Sequence, residues 1–243
     1  MLERSRRRIL SMLGPDDVVL DVGGWADPFE RADWVIDLMP YETRGLYERE
    51  GWVEPREREA ERFSAETWIQ RDLCDREPYP FENGSIDFAI CSQTLEDLRD
   101  PIWVCRELAR IAKAGYIEVP SRLEEQSWGV DGPFAGWGHH RWLIDAIEGG
   151  LEFVVKPHSL HGHPDQRFPP GFWETLTEEE RVQTLWWEGG FDCRERVLIG
   201  AEEGERYLSE LVRRELAARG LEPSAPRSRI RGLARRIAGR ALG

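Results

Sequence analysis

The sequence predicts an α/β protein: an open, mostly parallel sheet with helices on both faces and antiparallel edge strands. Three observations predict it. Short apolar runs recur through the first 120 residues, three of them ending in an acid, as buried parallel strands do. A well-punctuated helix separates the last two of those runs. Two later stretches carry Glu-Gly-Gly signals between apolar segments, the pattern of hairpins that supply antiparallel edges.

The first run, Asp16-Asp-Val-Val-Leu-Asp-Val-Gly-Gly24, reads as a strand entering a tight turn. Trp34-Val-Ile-Asp37 and Trp68-Ile-Gln-Arg-Asp72 read as the second and third strands. Ile86–Cys91 and Gly115–Pro120 read as the fourth and fifth. Between them Asp100 suits an N-cap, Pro101 the first helical position, and Gly115 lies just past the end. Ile102, Cys105, Leu108, Ala109 and Ala112 share one apolar face at helical spacing. Strands alternating with helices imply a sheet covered on both sides, which binds ligands at the carboxyl ends of its strands. Residues 38–66 read as a charged, partly helical surface link. Beyond Pro120, Arg141–Lys156 reads as one hairpin, Leu185–Leu198 as a second, and about 202–219 as a helix.

Composition narrows the function. The chain has 243 residues, enough for one large domain, taken to run over 1–222 with a tail at 223–243. No apolar stretch approaches the roughly 18 residues of a membrane span, and the basic N-terminus lacks the apolar core of a secretory signal. The four cysteines show no metal or disulfide spacing, so reduced thiols and a cytoplasmic location are expected. With 46 acids against 33 bases, net charge -13, nucleic acid is a disfavoured partner.

The order of these motifs resembles the class I methyltransferases that use S-adenosylmethionine, and within them the broad type 11 group. Leu20-Asp-Val-Gly-Gly24 resembles the glycine-rich first motif, and Asp37 stands at the family's acid after strand two. Arg71-Asp72-Leu73 and Tyr79–Phe88 resemble the next passages. Cys91–Pro101, Arg106–Arg110 and Ala114–Glu118 resemble the last. The likeness covers about residues 15–120 and implies a Rossmann-like fold, S-adenosylmethionine as cofactor, and an acceptor-shaping half at about 121–222. It implies Asp37 on the ribose hydroxyls and Asp72 on the adenine amine, with Leu73 packed on the ring. Asp21, Gly23, Gly24 and Ser92 complete the implied cofactor set. Two family glycines are replaced, by Trp25 and Asp27, which motivates an alternative: a catalytically silent binding module of the same fold.

Methyl transfer from a sulfonium is an in-line displacement, so positioning supplies most of the acceleration. A base is needed only when the acceptor must lose a proton. Gly136-Trp-Gly-His-His-Arg-Trp142 is the densest candidate for the acceptor side. His139 and His140 are the candidate bases, and Glu118 at the end of strand five the candidate acceptor ligand. A small-molecule or glycan-like acceptor is expected. Eleven tryptophans serve chiefly as core. His158-Ser-Leu-His-Gly-His-Pro-Asp165 has zinc-capable side chains but no framework to fix tetrahedral geometry, so no metal ligands are assigned and a metal-dependent hydrolase is a remote alternative. The tail holds six arginines and no acid, with Ile230, Leu233, Ala234 and Ile237 on one helical face. That pattern suits peripheral contact with an anionic membrane. The oligomeric state is not legible.

Overall fold

A computed structural model describes residues 1–52 and 61–221. The tail at 223–243 lies outside the described residues. The chain divides into two compact units. The first comprises residues 1–125, 139–156 and 176–197, and the second residues 126–138, 157–175 and 198–243. The cofactor half expected at 15–120 falls within the first unit, whereas residues 121–222 are shared between the two.

The first unit is built on a six-stranded sheet. β1 (Val19–Val22), β2 (Trp34–Asp37), β3 (Trp68–Gln70), β4 (Ile86–Ser92) and β5 (Ala112–Pro120) are parallel, and β8 (Val182–Glu188) adds antiparallel to β5. The order is β3-β2-β1-β4-β5-β8. The order turns back at the neighbours β1 and β4, and such a switch point opens a crevice beyond the strand ends. The five expected parallel strands are all present.

Strand alternation assigns each residue to one of two cores. Val19, Val35, Phe88, Ile90 and Tyr116 join Ile9 on one face. Ile9 belongs to α1 (Glu3–Met12), an N-terminal helix with no counterpart in the sequence reading. Leu20, Ile36, Ala89, Cys91 and Ile117 point the opposite way, to Val104, Cys105, Leu108 and Ile111 of α3 (Pro101–Ile111). Helices therefore cover both faces, as expected. Asp100 caps α3 by accepting from the Trp103 amide at 3.0 Å, and Pro101 fills the position where a missing N–H costs nothing.

The strand links carry little regular structure, and one expected hairpin is absent. The β1–β2 crossover, residues 23–33, contains turns but no helix. Side chains replace the helix's bonds: Asp21 accepts from the Phe29 amide at 2.9 Å, and Arg31 donates to the Gly14 and Asp17 carbonyls. The link between β2 and β3 holds a 3-10 turn at Tyr41–Thr43 and a single turn, α2 (Leu46–Arg49). The second expected hairpin is not one. β8 joins the large sheet, but β9 (Asp192–Glu195) runs parallel to β7 in a separate three-stranded sheet ordered β6-β7-β9. The first expected hairpin is present, with β6 (Trp142–Ile147) antiparallel to β7 (Gly150–Val155). Gly150 is required there, because a Cβ would lie 1.9 Å from the Asp192 carbonyl oxygen.

Short helices α4 (Arg122–Glu125) and α6 (Glu178–Arg181) complete the first unit. The second unit carries α5 (Ser159–Gly162) and α7 (Ala201–Ala218), the helix expected at about 202–219. Within it Gln126 donates from Nε2 to the carbonyls of Gln166 and Leu208, and Phe168 stacks on Phe172 at 4.0 Å. No helix of the described residues is long and apolar enough to cross a membrane.

Candidate functional site

The strand ends of the first unit gather acids. Asp21, in β1, is 3% exposed, and burial pushes its carboxyl up to about 7, aided by nearby Asp37 and Asp27 and opposed by the Phe29 amide. After β1, Gly23 has φ +82°. A Cβ there would meet Thr94 Oγ1 at 2.2 Å, and one on Gly24 would meet Asp21 Oδ2 at 2.2 Å. Both glycines are thus demanded by close packing, and Gly23 also by its backbone.

Asp37 ends β2 with both oxygens engaged. Oδ2 accepts from the Trp25 amide at 3.0 Å and Oδ1 from the Met39 amide at 2.8 Å. Burial raises its pKa, and those amides pull it back. The Trp25 indole turns toward the β2 side, where Nε1 donates to Thr43 Oγ1 at 2.9 Å. A small cavity of about 30 Å³ lies alongside, lined by Asp21, Gly23, Gly24, Asp27, Tyr47 and Ser92 among others. Asp72 is not part of it. It is exposed, paired with Arg99 and holding the Cys74 amide, and the Arg99 bond lowers its pKa. Leu73 is buried in the α3-side core. The structure thus brings Asp21, Gly23, Gly24 and Ser92 together with Asp37 close by, and sets Asp72 and Leu73 apart.

The segment after β4 forms the next wall. Gln93 has φ +53°, the one non-glycine in that region among the described residues, a strained conformation of the kind that clusters at functional sites. Glu118 at the end of β5 is 1% exposed and accepts from Leu2 N, Tyr116 Oη, Ser92 Oγ and Gln93 Nε2. Its oxygens are committed to protein donors. Glu96 is equally buried, yet its Oε2 has no hydrogen-bond partner, and burial raises its pKa well above the carboxylate range. Such an orphan is uncommon and costly.

Backbone bonds set the histidines against this wall. The Arg141 amide donates to the Glu96 carbonyl at 2.8 Å, and the Lys156 amide to the Arg141 carbonyl at 2.8 Å. His140 is thereby held beside Asp97, with Nε2 4.0 Å from Asp97 Oδ1. Its Nδ1 lies 2.6 Å from Glu125 Oε1, and Lys156 Nζ is 2.6 Å from Glu125 Oε2. The side chains of all three are buried, that of Glu125 at 1% exposure. His139 is exposed, with Nε2 3.9 Å from Asp97 Oδ1. Burial raises the Asp97 pKa while His140 and His139 oppose the rise.

The sequence reading singled out His139 and His140 but not Glu96, Asp97, Glu125 or Lys156 as working groups. One signal was available: Lys156 is one of only two lysines in the chain and follows an apolar strand. In the second unit His161 Nδ1 accepts from the Ala135 amide at 3.2 Å, and residues 158–165 form no metal-ligand group among the described residues.

A strand order of 3-2-1-4-5 with an antiparallel addition beyond strand five is that of a Rossmann-like sheet. Residues 50–117 match the family model described as a methyltransferase domain. That match covers less than a third of the chain and likens this span to the S-adenosylmethionine-dependent methyltransferases, whose cofactor is S-adenosylmethionine. No curated protein matches the chain. Among solved structures, a Haloferax volcanii methyltransferase complexed with a methyltransferase activator is 18% identical, over 47% of this chain and 50% of that one, at TM-score 0.33. An Aquifex aeolicus S-adenosylmethionine-dependent methyltransferase is 17% identical, over 48% and 64%, at 0.32. One from Mesorhizobium loti is 16% identical, over 62% and 63%, at 0.34. The chain spans less than two thirds of each.

The donor set suits that cofactor: a buried acid beside a positive-φ glycine turn, an acid ending β2, and an unsatisfied buried carboxyl nearby. The free volume does not yet suit it. About 30 Å³ is room for one water, whereas ligand clefts run to hundreds of Å³.

Proposed function

We propose that this chain transfers a methyl group from S-adenosylmethionine to a small-molecule or glycan-like acceptor. The observation that carries the reading is the buried Lys156–Glu125–His140 chain ending beside Asp97 at the carboxyl end of β4, next to the acid-lined turn after β1. Asp37 would hold the ribose hydroxyls once the Trp25 amide withdraws, and Asp21 with Gly23, Gly24 and Ser92 the amino-acid end. When bound, the cofactor supplies an electrophilic methyl on a cationic sulfonium. The surrounding carboxylates favour that positive charge and lose the preference after transfer.

His140 is the proton acceptor in this reading. Glu125 at Nδ1 fixes the tautomer that puts the lone pair on Nε2, and Lys156 anchors Glu125. Both are positioning residues. His140→Ala in chelator-treated protein is expected to cut turnover by about 10²–10⁴ with S-adenosylhomocysteine affinity unchanged. Unaltered turnover removes it from the mechanism.

A second reading, a silent binding module, is favoured by the amide-filled Asp37 and the narrow cavity. Calorimetry separates the two. Saturable S-adenosylhomocysteine binding supports the enzyme, and none at millimolar ligand supports the silent module. Peripheral membrane contact through residues 223–243 belongs to the proposal as well. Co-sedimentation of the full chain with anionic vesicles, absent for residues 1–222, is the supporting result.

A further inference from the structure

Asp97, His139 and His140 present one ligand atom each, all within 4.8 Å of one another. We infer that they form a site for a divalent transition-metal ion of the zinc class. A tetrahedral ion with bonds of about 2.0–2.2 Å holds its ligands roughly 3.3 Å apart. The two Nε2–Oδ1 separations are 3.9 and 4.0 Å, so closure needs about half an ångström for each of these, and the His139–His140 pair starts within 4.8 Å. The exposed side chains of His139 and Asp97 can supply that by small rotations.

The second observation is independent of the spacing. His140 already has the arrangement a ligating imidazole requires: its far nitrogen, Nδ1, is bonded to a buried carboxylate, Glu125, leaving Nε2 to face the cluster. Such carboxylate–histidine pairs fix the ring and raise its basicity toward a metal. Glu125 is itself locked by Lys156, so this support is in place without the ion. The Arg141–Glu96 backbone bond joins the two segments that supply the ligands. Two imidazoles and a carboxylate suit zinc and its neighbours and disfavour calcium or magnesium, which take oxygen cages. Three protein ligands leave a fourth position for water or an acceptor oxygen, the pattern of catalytic rather than structural sites.

Metal binding stands apart from the methyl-transfer reading, since it needs no cofactor. The two uses of His140 Nε2 exclude one another, which is why the base assignment is tested in chelator-treated protein. The test uses the full chain, freed of metal, titrated with Co²⁺ for its visible absorption and with Zn²⁺ in competition. One equivalent with a four- or five-coordinate cobalt spectrum is expected, at micromolar affinity or tighter. His139→Ala and Asp97→Asn, both at exposed positions, should each weaken binding tenfold or more without lowering the metal-free Tm. His158→Ala with His163→Ala should leave binding unchanged. Absence of saturable binding at 0.1 mM metal overturns the site, as does wild-type affinity in His139→Ala or a loss that follows His158 and His163 instead.

Discussion

Asp21 shows how one buried group links fold and site. Its carboxyl titrates near 7 in the folded chain against 3.8 when exposed, so the folded state binds the extra proton. Stability from this group is full below about pH 4 and declines as pH rises toward 7. Asp21→Asn removes the ionisation. The variant is expected to lie within about 1 kcal/mol of wild type in urea denaturation at pH 4.5 and to exceed it at pH 8 by roughly 2–4 kcal/mol, about three pKa units at most. An equal difference at both pH values would mean that Asp21 is ionised and paired in the fold. The sequence marked Asp21 by its place after an apolar run, but its proton could not be read there. That depends first on burial, then on the Phe29 amide, Asp37 and Asp27, which only the folded turn assembles.

The strands and α3 were legible because their signals are local. Val19–Val22 and Ile86–Ser92 are apolar runs, and Asp100-Pro101 announces a helix start. Asp100→Ala is expected to cost about 1 kcal/mol, read as a fall in Tm, with no change in ligand affinity. Gly23→Ala should cost more, upward of about 2 kcal/mol, because φ +82° strains alanine and its Cβ meets Thr94. A tolerated Gly23→Ala would show that the turn relaxes outward. The misread elements are those decided by distant partners. Asp192–Glu195 looks like the return of a hairpin because Glu-Gly-Gly precedes it, yet β7 captures it through four registered residues. The β1–β2 link at 23–33 is likewise settled by tertiary partners. Pro28 and the glycines remove helix propensity, and Asp21 and Arg31 bind the backbone groups a helix would have used.

At the scale of the whole molecule, the acids at the strand ends and the turn that seals them act as one device. The charge of -13 gave no hint of where the acids would meet. Half of the site was legible through Asp21, Asp37 and the paired histidines, while Glu125 arrives on α4 after β5 and Lys156 at the end of β7, two elements that only the fold brings together. Trp25 donates twice, from N–H to Asp37 and from Nε1–H to Thr43, while the Trp25 and Ala26 carbonyls accept from the Gly45 and Tyr47 amides. A ligand that needs Asp37 must pay to open the turn, and its apparent affinity is reduced by the closed fraction. Thr43→Val deletes the indole's acceptor and leaves Asp37 intact. Loss of one hydrogen bond of about 1 kcal/mol should raise the open population about fivefold and tighten S-adenosylhomocysteine binding by the same factor. Calorimetry on both proteins reads this directly. Unchanged affinity with unchanged Tm would mean that Trp25 does not gate the groove, and weaker binding would mean that the shut turn is the binding conformation.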